Sequence, residues 1–303
     1  MVSRPDAHFA PRGGGSVNSP WMNQMVPRQL TAFGRDAREP LTCRGRRLGG
    51  GDSLPFLMRP ELPPAIAAFD DAQRRALGLL ADVCSRLEAG MHARDVEDLA
   101  VTRLADHGFT TWYHPPEVDI DGDIGRKGLL PRLGKGPAIQ AGSLVAIDLG
   151  PATTDAYGDV GVTHVFGGSE EPFVVHQARE CTRAACGFAS RFKTCGELFI
   201  VSQAWAVNNR LKLRNENAVG HRLLTRDGLI DKGFPRSAHL ATLLPRNRLH
   251  RLHPIRLDGM FAVRPVLTDG THSASFEEAI YIHEGIKVVL GRDSLAEIGT
   301  LPR

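Results

Sequence analysis

The sequence predicts a mixed α/β fold of the α+β kind, with a helix pair and strands followed by a second helix pair and further strands. Three observations predict it. From Ser143 to Gly167, SLVAIDLGPATTDAYGDVGVTHVFG alternates in side-chain character on either side of a Gly- and Thr-rich turn, as two adjacent strands of a hairpin do. Apolar residues recur at helical spacing in two stretches before this hairpin and in two after it. The final third returns to a strand pattern, at Gly259 to Leu267 and Ser275 to His283, with Thr268 to Ser273 as the turn between them. The order suggests an internal duplication, although no residue-level repeat accompanies it.

Residues 1–58 are rich in Gly, Pro, Ser and Arg, with GGG at 13–15 and again at 49–51, and are expected to have no fixed fold. Scattered Pro and Gly spoil the amphipathic helix of a transit peptide, so a translation start at Met58, testable by mass spectrometry of the native N-terminus, is the plainer expectation. Residues 59–303 are expected to form one domain. After Asp71, Ala76, Leu77, Leu80, Val83, Cys84 and Leu87 line one helix face, and Gly90 is the expected C-terminal cap. A second helix runs from Ala93 to His107 and closes at Gly108. Phe109 to His114 has the Thr and aromatic content of a strand, which Pro115 and Pro116 should stop, leaving Glu117 to Ala141 as a long loop or irregular hairpin. Glu171 to Phe192 and Gly196 to Leu213 form the second helix pair, and the Arg-rich stretch from Arg236 to Arg256 is expected to be a solvated surface loop, with carboxylate binding as the alternative.

The bulk numbers exclude several classes. Of the net charge of +3, +5 comes from nine Arg against four acidic residues in the first 60, so the remainder is close to neutral and gives no reason to expect nucleic acid. No run approaches the ~18 apolar residues of a membrane span, and no secretory h-region follows the N-terminal charges. Five cysteines, odd in number and without CxxC spacing, suit free thiols in a reducing compartment, so a cytoplasmic location is expected.

The chemistry concentrates in the hairpin. Val145, Ile147 and Leu149 alternate with Leu144, Ala146 and Asp148, which puts Asp148 on one face of a buried strand; Asp159 opens the next. A buried carboxylate needs a partner, and two facing each other across a hairpin call for a divalent cation or a shared proton. Among the later strands, His221 follows Gly220 and Glu277 lies in SFEEAIYI, where alternation separates it from Glu278. Two Asp, a His and a Glu make a hard, oxygen-rich set suited to Mn, Co, Fe or Zn. The alternatives are turn or cap roles for the aspartates, a hydrogen-bonded core histidine and a solvated strand glutamate.

In order, AIDLG, AYGDVGVTHVFG, VGH, a Gly-Met-Phe strand ending in Pro, and FEE resemble the pita-bread metallopeptidases, the M24 family of methionine aminopeptidase, aminopeptidase P and prolidase, over roughly residues 65–292. The resemblance implies a curved antiparallel sheet with two helix pairs on its outer face and a two-metal site in its hollow. It implies Asp148 as terminal metal ligand, Asp159 as bridging aspartate, His221 as histidine ligand and Glu277 as bridging glutamate. His114 and His239 resemble its substrate-side histidines, so the catalytic set is His114, His239 and Glu277. A metal-activated water would attack a peptide or amide carbonyl, Glu277 taking the proton and His221 or His239 steadying the oxyanion or leaving group. The implied partners are short peptide or amide substrates, those with proline second among them, and a homodimer is compatible with the family.

At one position the chain departs. The family's Glu-Pro, where the glutamate ligates metal, is here Arg264-Pro265, and a guanidinium donates only. Three arrangements are open: one metal held mainly by Asp148, Asp159 and Glu277; the guanidinium in the second cation's place; or Arg264 turned outward on a strand shifted by one residue. One, two or no metal ions follow, and with them two other functions, an inactive ligand-binding member of the family or a metal-independent C–N hydrolase resembling creatinase. Asp119, Asp121 and Asp123 lack the glutamate and helices of a calcium loop, and Gly134-Lys135-Gly136 lacks the spacing of a phosphate loop. His164, His176, His250, His253, His272 and His283 are read as ordinary polar residues.

Overall fold

A computed structural model describes residues 60–122, 136–168, 170–214, 218–225, 234–293, 297 and 299–302. The leader expected at residues 1–58, Asp123 and the Gly134-Lys135 pair lie outside them. The described residues fall within one unit, Met58–Arg303.

Helix α1, Pro64–Ser85, begins on a proline whose missing N–H costs nothing in the first turn. It starts seven residues before Asp71 and ends before Gly90, which instead takes a positive φ of 91° in the turn to the next helix and donates to Ile139 O at 2.9 Å. Helix α2, Ala93–Arg103, continues as a 3₁₀ turn, Leu104–His107, that Gly108 closes at φ 73°. The second pair is α3, Phe173–Phe188, and α4, Cys195–Asn208. Glu197 accepts the Thr194 N–H at 2.8 Å, fixing the start of α4.

The strands are β1 Thr111–Ile120, β2 Leu144–Ala152, β3 Val160–Val165, β4 Lys212–Leu213, β5 Gly220–Leu223, β6 Gly259–Val263, β7 Val266–Thr268, β8 Ser273–His283 and β9 Ile286–Val289. They form one antiparallel sheet in the order β1-β2-β3-β8-β6-β5, with β7 and β9 also on β8, and β4 on β7. The sheet curls because β8 changes partner along its length. Phe276 and Glu277 pair with β3, and Glu278 to Ile282 pair with β6. Helix α1 packs on β2 and β3, and α3 packs on β8.

Three expectations are corrected. Pro115 and Pro116 do not end β1; they lie between registered residues His114 and Glu117, where the ladder is irregular, on the outermost strand, so no ladder hydrogen bond is lost. The strand seen as continuous from Gly259 to Leu267 breaks at Arg264-Pro265 into β6 and β7. The Arg-rich segment is not a surface loop throughout: Arg236–Thr242 is a short helix, α5, that buries Ala238 and Thr242, and Leu249 and His253 are buried beyond it. Across the segment the arginines are exposed while Ala238, Thr242, Asn247, Leu249 and His253 between them are buried, a pattern too irregular for sequence periodicity to reveal.

Four cysteines, Cys84, Cys181, Cys186 and Cys195, are free and buried. Among the described residues, no helix is long and apolar enough to cross a membrane.

Candidate functional site

Asp148 lies inside β2 opposite Gly161 of β3, and Asp159 stands two positions before that glycine, so both carboxylates face the same hollow. Both are buried. The backbone of Asp159 is clamped from α1: Gln73 Nε2 donates to Asp159 O at 2.9 Å, and the Asp159 N–H donates to Gln73 Oε1 at 2.9 Å. Glu277 reaches the hollow from β8, also opposite Gly161. A Cβ at Gly161 would lie 3.2 Å from Glu277 Oε2, so the missing side chain gives the carboxylates their space.

His221 comes from β5, where Gly220 holds φ 144° and lies against β6 so closely that a Cβ would be 2.0 Å from Ala262 O. That approach brings His221 Nε2 to 3.2 Å from Asp159 Oδ2. His114 enters from the irregular part of β1, over Gly150, whose Cβ would collide with the ring at 2.5 Å. Its Nδ1 donates to Pro115 O at 2.9 Å, and its Nε2 stands 3.4 Å from both Asp148 Oδ1 and Asp159 Oδ1. His239, on α5, places its ring centroid 5.5 Å from that of His114 and edge-on to Tyr113 at 5.2 Å.

Arg264 turns inward. Its Nη1 is paired with Asp148 Oδ2 and lies 4.0 Å from Glu277 Oε2, its Nε donates to Ser275 Oγ at 3.3 Å, and its N–H donates to Val219 O at 2.7 Å. Ser275 is fixed in turn by Thr163, whose Oγ1 accepts the Ser275 N–H at 2.9 Å. The arrangement with the arginine facing outward is thus not the one the chain adopts.

The charges interact strongly because water is scarce. Burial disfavours the His114 cation, but the Asp148 charge and the Asp159 contact outweigh it and push the imidazole up to about 10. Burial, then repulsion from Asp159 and Asp148, pushes Glu277 up to about 8 against the opposing pull of Arg264 and His221. Burial also disfavours the Asp159 carboxylate, but hydrogen bonds from His114 and His221 hold it below the usual range. Burial opposes the charge on Arg264 too, and Asp148 and Glu277 keep it charged.

The chain therefore brings together every site residue read from the sequence: Asp148, Asp159, His221, Glu277, His114 and His239, with Arg264 among them. Two donor sets have atoms within 4.8 Å of one another, His114-Asp148-Asp159 and Asp159-His221-Glu277. The second fits a divalent cation. The 3.2 Å between His221 and Asp159 is close to the roughly 3.3 Å that separates two ligands about 2.0–2.1 Å from a tetrahedral ion. Glu277 Oε2 is buried and meets no hydrogen-bond donor among the described residues. Gln73, Ser275 and Thr163 were not singled out by sequence. The signal available for Gln73 was an amide on the apolar face of an amphipathic helix, which a core excludes unless it is hydrogen-bonded.

Residues 67–284 match the model of metallopeptidase family M24. Among solved structures, the chain is similar to methionine aminopeptidase from Thermotoga maritima (18% identity, TM-score 0.59, covering 78% of this chain and 99% of that one). It is also similar to X-Pro aminopeptidase from Thermotoga maritima (13% identity, TM-score 0.56, 76% and 61%) and to prolidase from Pyrococcus furiosus (14% identity, TM-score 0.57, 77% and 65%). The chain thus spans nearly all of the first but less than two thirds of the other two. No curated protein matches it in sequence. At these identities the structural likeness is one of fold, the pita-bread arrangement of a curled antiparallel sheet with helix pairs outside. The family match extends over well more than half of the sequence, and the chain belongs to metallopeptidase family M24.

Proposed function

We propose that this protein is a metal-dependent, aminopeptidase-like hydrolase that cleaves short peptides, Xaa-Pro sequences among them, or a related amide. The observation that carries the reading is the convergence of Asp159, just before β3, His221 of β5 and Glu277 of β8 on one another, with His114 and His239 beside them. The first three residues would hold the cation as ligands. When bound there, a divalent cation supplies Lewis acidity, polarising a carbonyl and acidifying water. Glu277 would be the carboxylate that takes the proton of the attacking water and returns it to the leaving nitrogen. His114 presents an N–H toward the carboxylate cluster, and His239, on the rim, donates to the substrate carbonyl or leaving group. The family and the peptidase neighbours support peptides as the substrate class.

The test is hydrolysis of a peptide and amide panel, including Xaa-Pro dipeptides and Met-initiated tripeptides, by purified protein supplied separately with Mn²⁺, Co²⁺, Fe²⁺ and Zn²⁺. Turnover that chelation abolishes and that Glu277→Gln lowers by at least ~100-fold is the expected result. Metal-loaded, folded protein that hydrolyses none of the panel would refute the proposal and leave a ligand-binding role.

A further inference from the structure

We propose that the hollow takes a single divalent cation, on Asp159, His221 and Glu277, and that the Arg264 guanidinium occupies the second cation position as a permanent part of the chain. This rests on reading the cluster as a metal site, as above.

The two donor sets share Asp159, so the hollow contains two adjoining positions, one toward Glu277 and His221 and one toward Asp148 and His114. They are not equivalent. On the Asp148 side, Arg264 Nη1 is paired with Oδ2, and His114 Nε2 is 3.4 Å from Oδ1. The guanidinium thus takes Oδ2 of that carboxylate, and Oδ1 has only the longer approach of His114. The Arg264 side chain is held there by Asp148 and by Ser275 Oγ, while its backbone N–H is fixed on Val219 O, so withdrawing the guanidinium would break both side-chain contacts. On the other side, Glu277 Oε2 has no donor, and Arg264 comes no nearer than 4.0 Å.

Three protein ligands, one imidazole and two carboxylates, also match the number that catalytic zinc sites use while keeping a position open.

The experiment is calorimetric titration of chelator-stripped, full-length protein with Mn²⁺ and with Co²⁺, with metal content after gel filtration measured by mass spectrometry. The wild type is expected to bind one equivalent. Arg264→Glu is expected to bind two, and Asp159→Asn to lose at least ~100-fold in affinity, because Asp159 is a ligand in both positions. Asp148→Asn should still bind one equivalent, with affinity lowered about 10–100-fold as for an outer partner, since the Asp148 carboxylate faces Arg264 and not the ion. Two equivalents in the wild type would overturn this inference and leave the hydrolase proposal standing. No binding by folded wild type would overturn both. Because the decisive measurement is made on wild-type protein, it does not depend on any variant folding.

Discussion

Replacing Arg264 with methionine keeps most of the aliphatic stem and removes the charge, and the metal-free protein should suffer for it. The guanidinium is in direct contact with Asp148 and 4.0 Å from Glu277. At that separation a pair of unit charges in an effective dielectric near 20 interacts by about 4 kcal/mol. Removing one member of a buried pair costs about 3–5 kcal/mol, because the surviving charge keeps its desolvation penalty without its partner. In a domain of this size each kcal/mol moves the unfolding midpoint by about 2–4 °C, so Arg264→Met should melt roughly 6–20 °C below wild type in chelator at neutral pH. A divalent cation binds only the folded state, and at about 100 times its Kd each bound ion returns about 2.7 kcal/mol. On the one-cation proposal, added Mn²⁺ should therefore narrow the gap, since the variant has carboxylates to spare. The assay is thermal unfolding followed by circular dichroism, with and without Mn²⁺. A variant as stable as wild type in chelator would refute the argument, because the guanidinium would then contribute nothing to holding three carboxylates together.

The metal-free protein should also lose stability as pH rises. Glu277 is raised from 4.5 to about 8 and His114 from 6.5 to about 10, so both bind protons more tightly folded than unfolded. Their contribution is complete at acid pH and is lost progressively from about pH 4.5 to about 10; Asp159, held below 3.8, works in the other sense and only at lower pH. Unfolding midpoints in chelator that climbed over that range would contradict this. Gln73→Leu leaves the Asp159 N–H and C=O without their amide partner and should destabilise by about 1–3 kcal/mol and weaken Mn²⁺ binding, both read by calorimetry; unchanged binding would mean the clamp does not position Asp159. On the opposite face of β8, Glu278 accepts Arg292 Nη2 at 2.6 Å, Arg292 Nε at 3.1 Å and the Gly299 N–H at 2.7 Å, all buried. Glu278→Gln should cost about 3–5 kcal/mol in urea unfolding while leaving metal stoichiometry unchanged, which separates the two adjacent glutamates by function.

Much of this site was legible because its parts obey local rules. Period-two alternation placed Asp148 among buried neighbours and separated Glu277 from Glu278, and both hold in the structure, where Glu277 meets Gly161 and Glu278 meets Arg292 on the other face. Long helices with a clear apolar stripe were equally visible, although α1 begins earlier than its strongest periodicity. Less legible were β5, four residues long, and α5, seven, since neither is long enough to show a period. The continuation of β1 through two prolines was hidden for another reason: whether a missing N–H is harmful depends on whether a strand lies on that side.

By itself, then, the sequence determined which residue types could form the cluster: two aspartates on one face of a hairpin, a histidine after a glycine, a strand glutamate, and an arginine where a carboxylate would have matched. It could not determine which way Arg264 faces or which carboxylates it meets. Those depend on separations between groups more than a hundred residues apart in the chain, such as Arg264 and Asp148, and such separations are set only when β8 brings β3, β6 and β7 together. Coulomb energy depends on distance, and distance belongs to the folded chain.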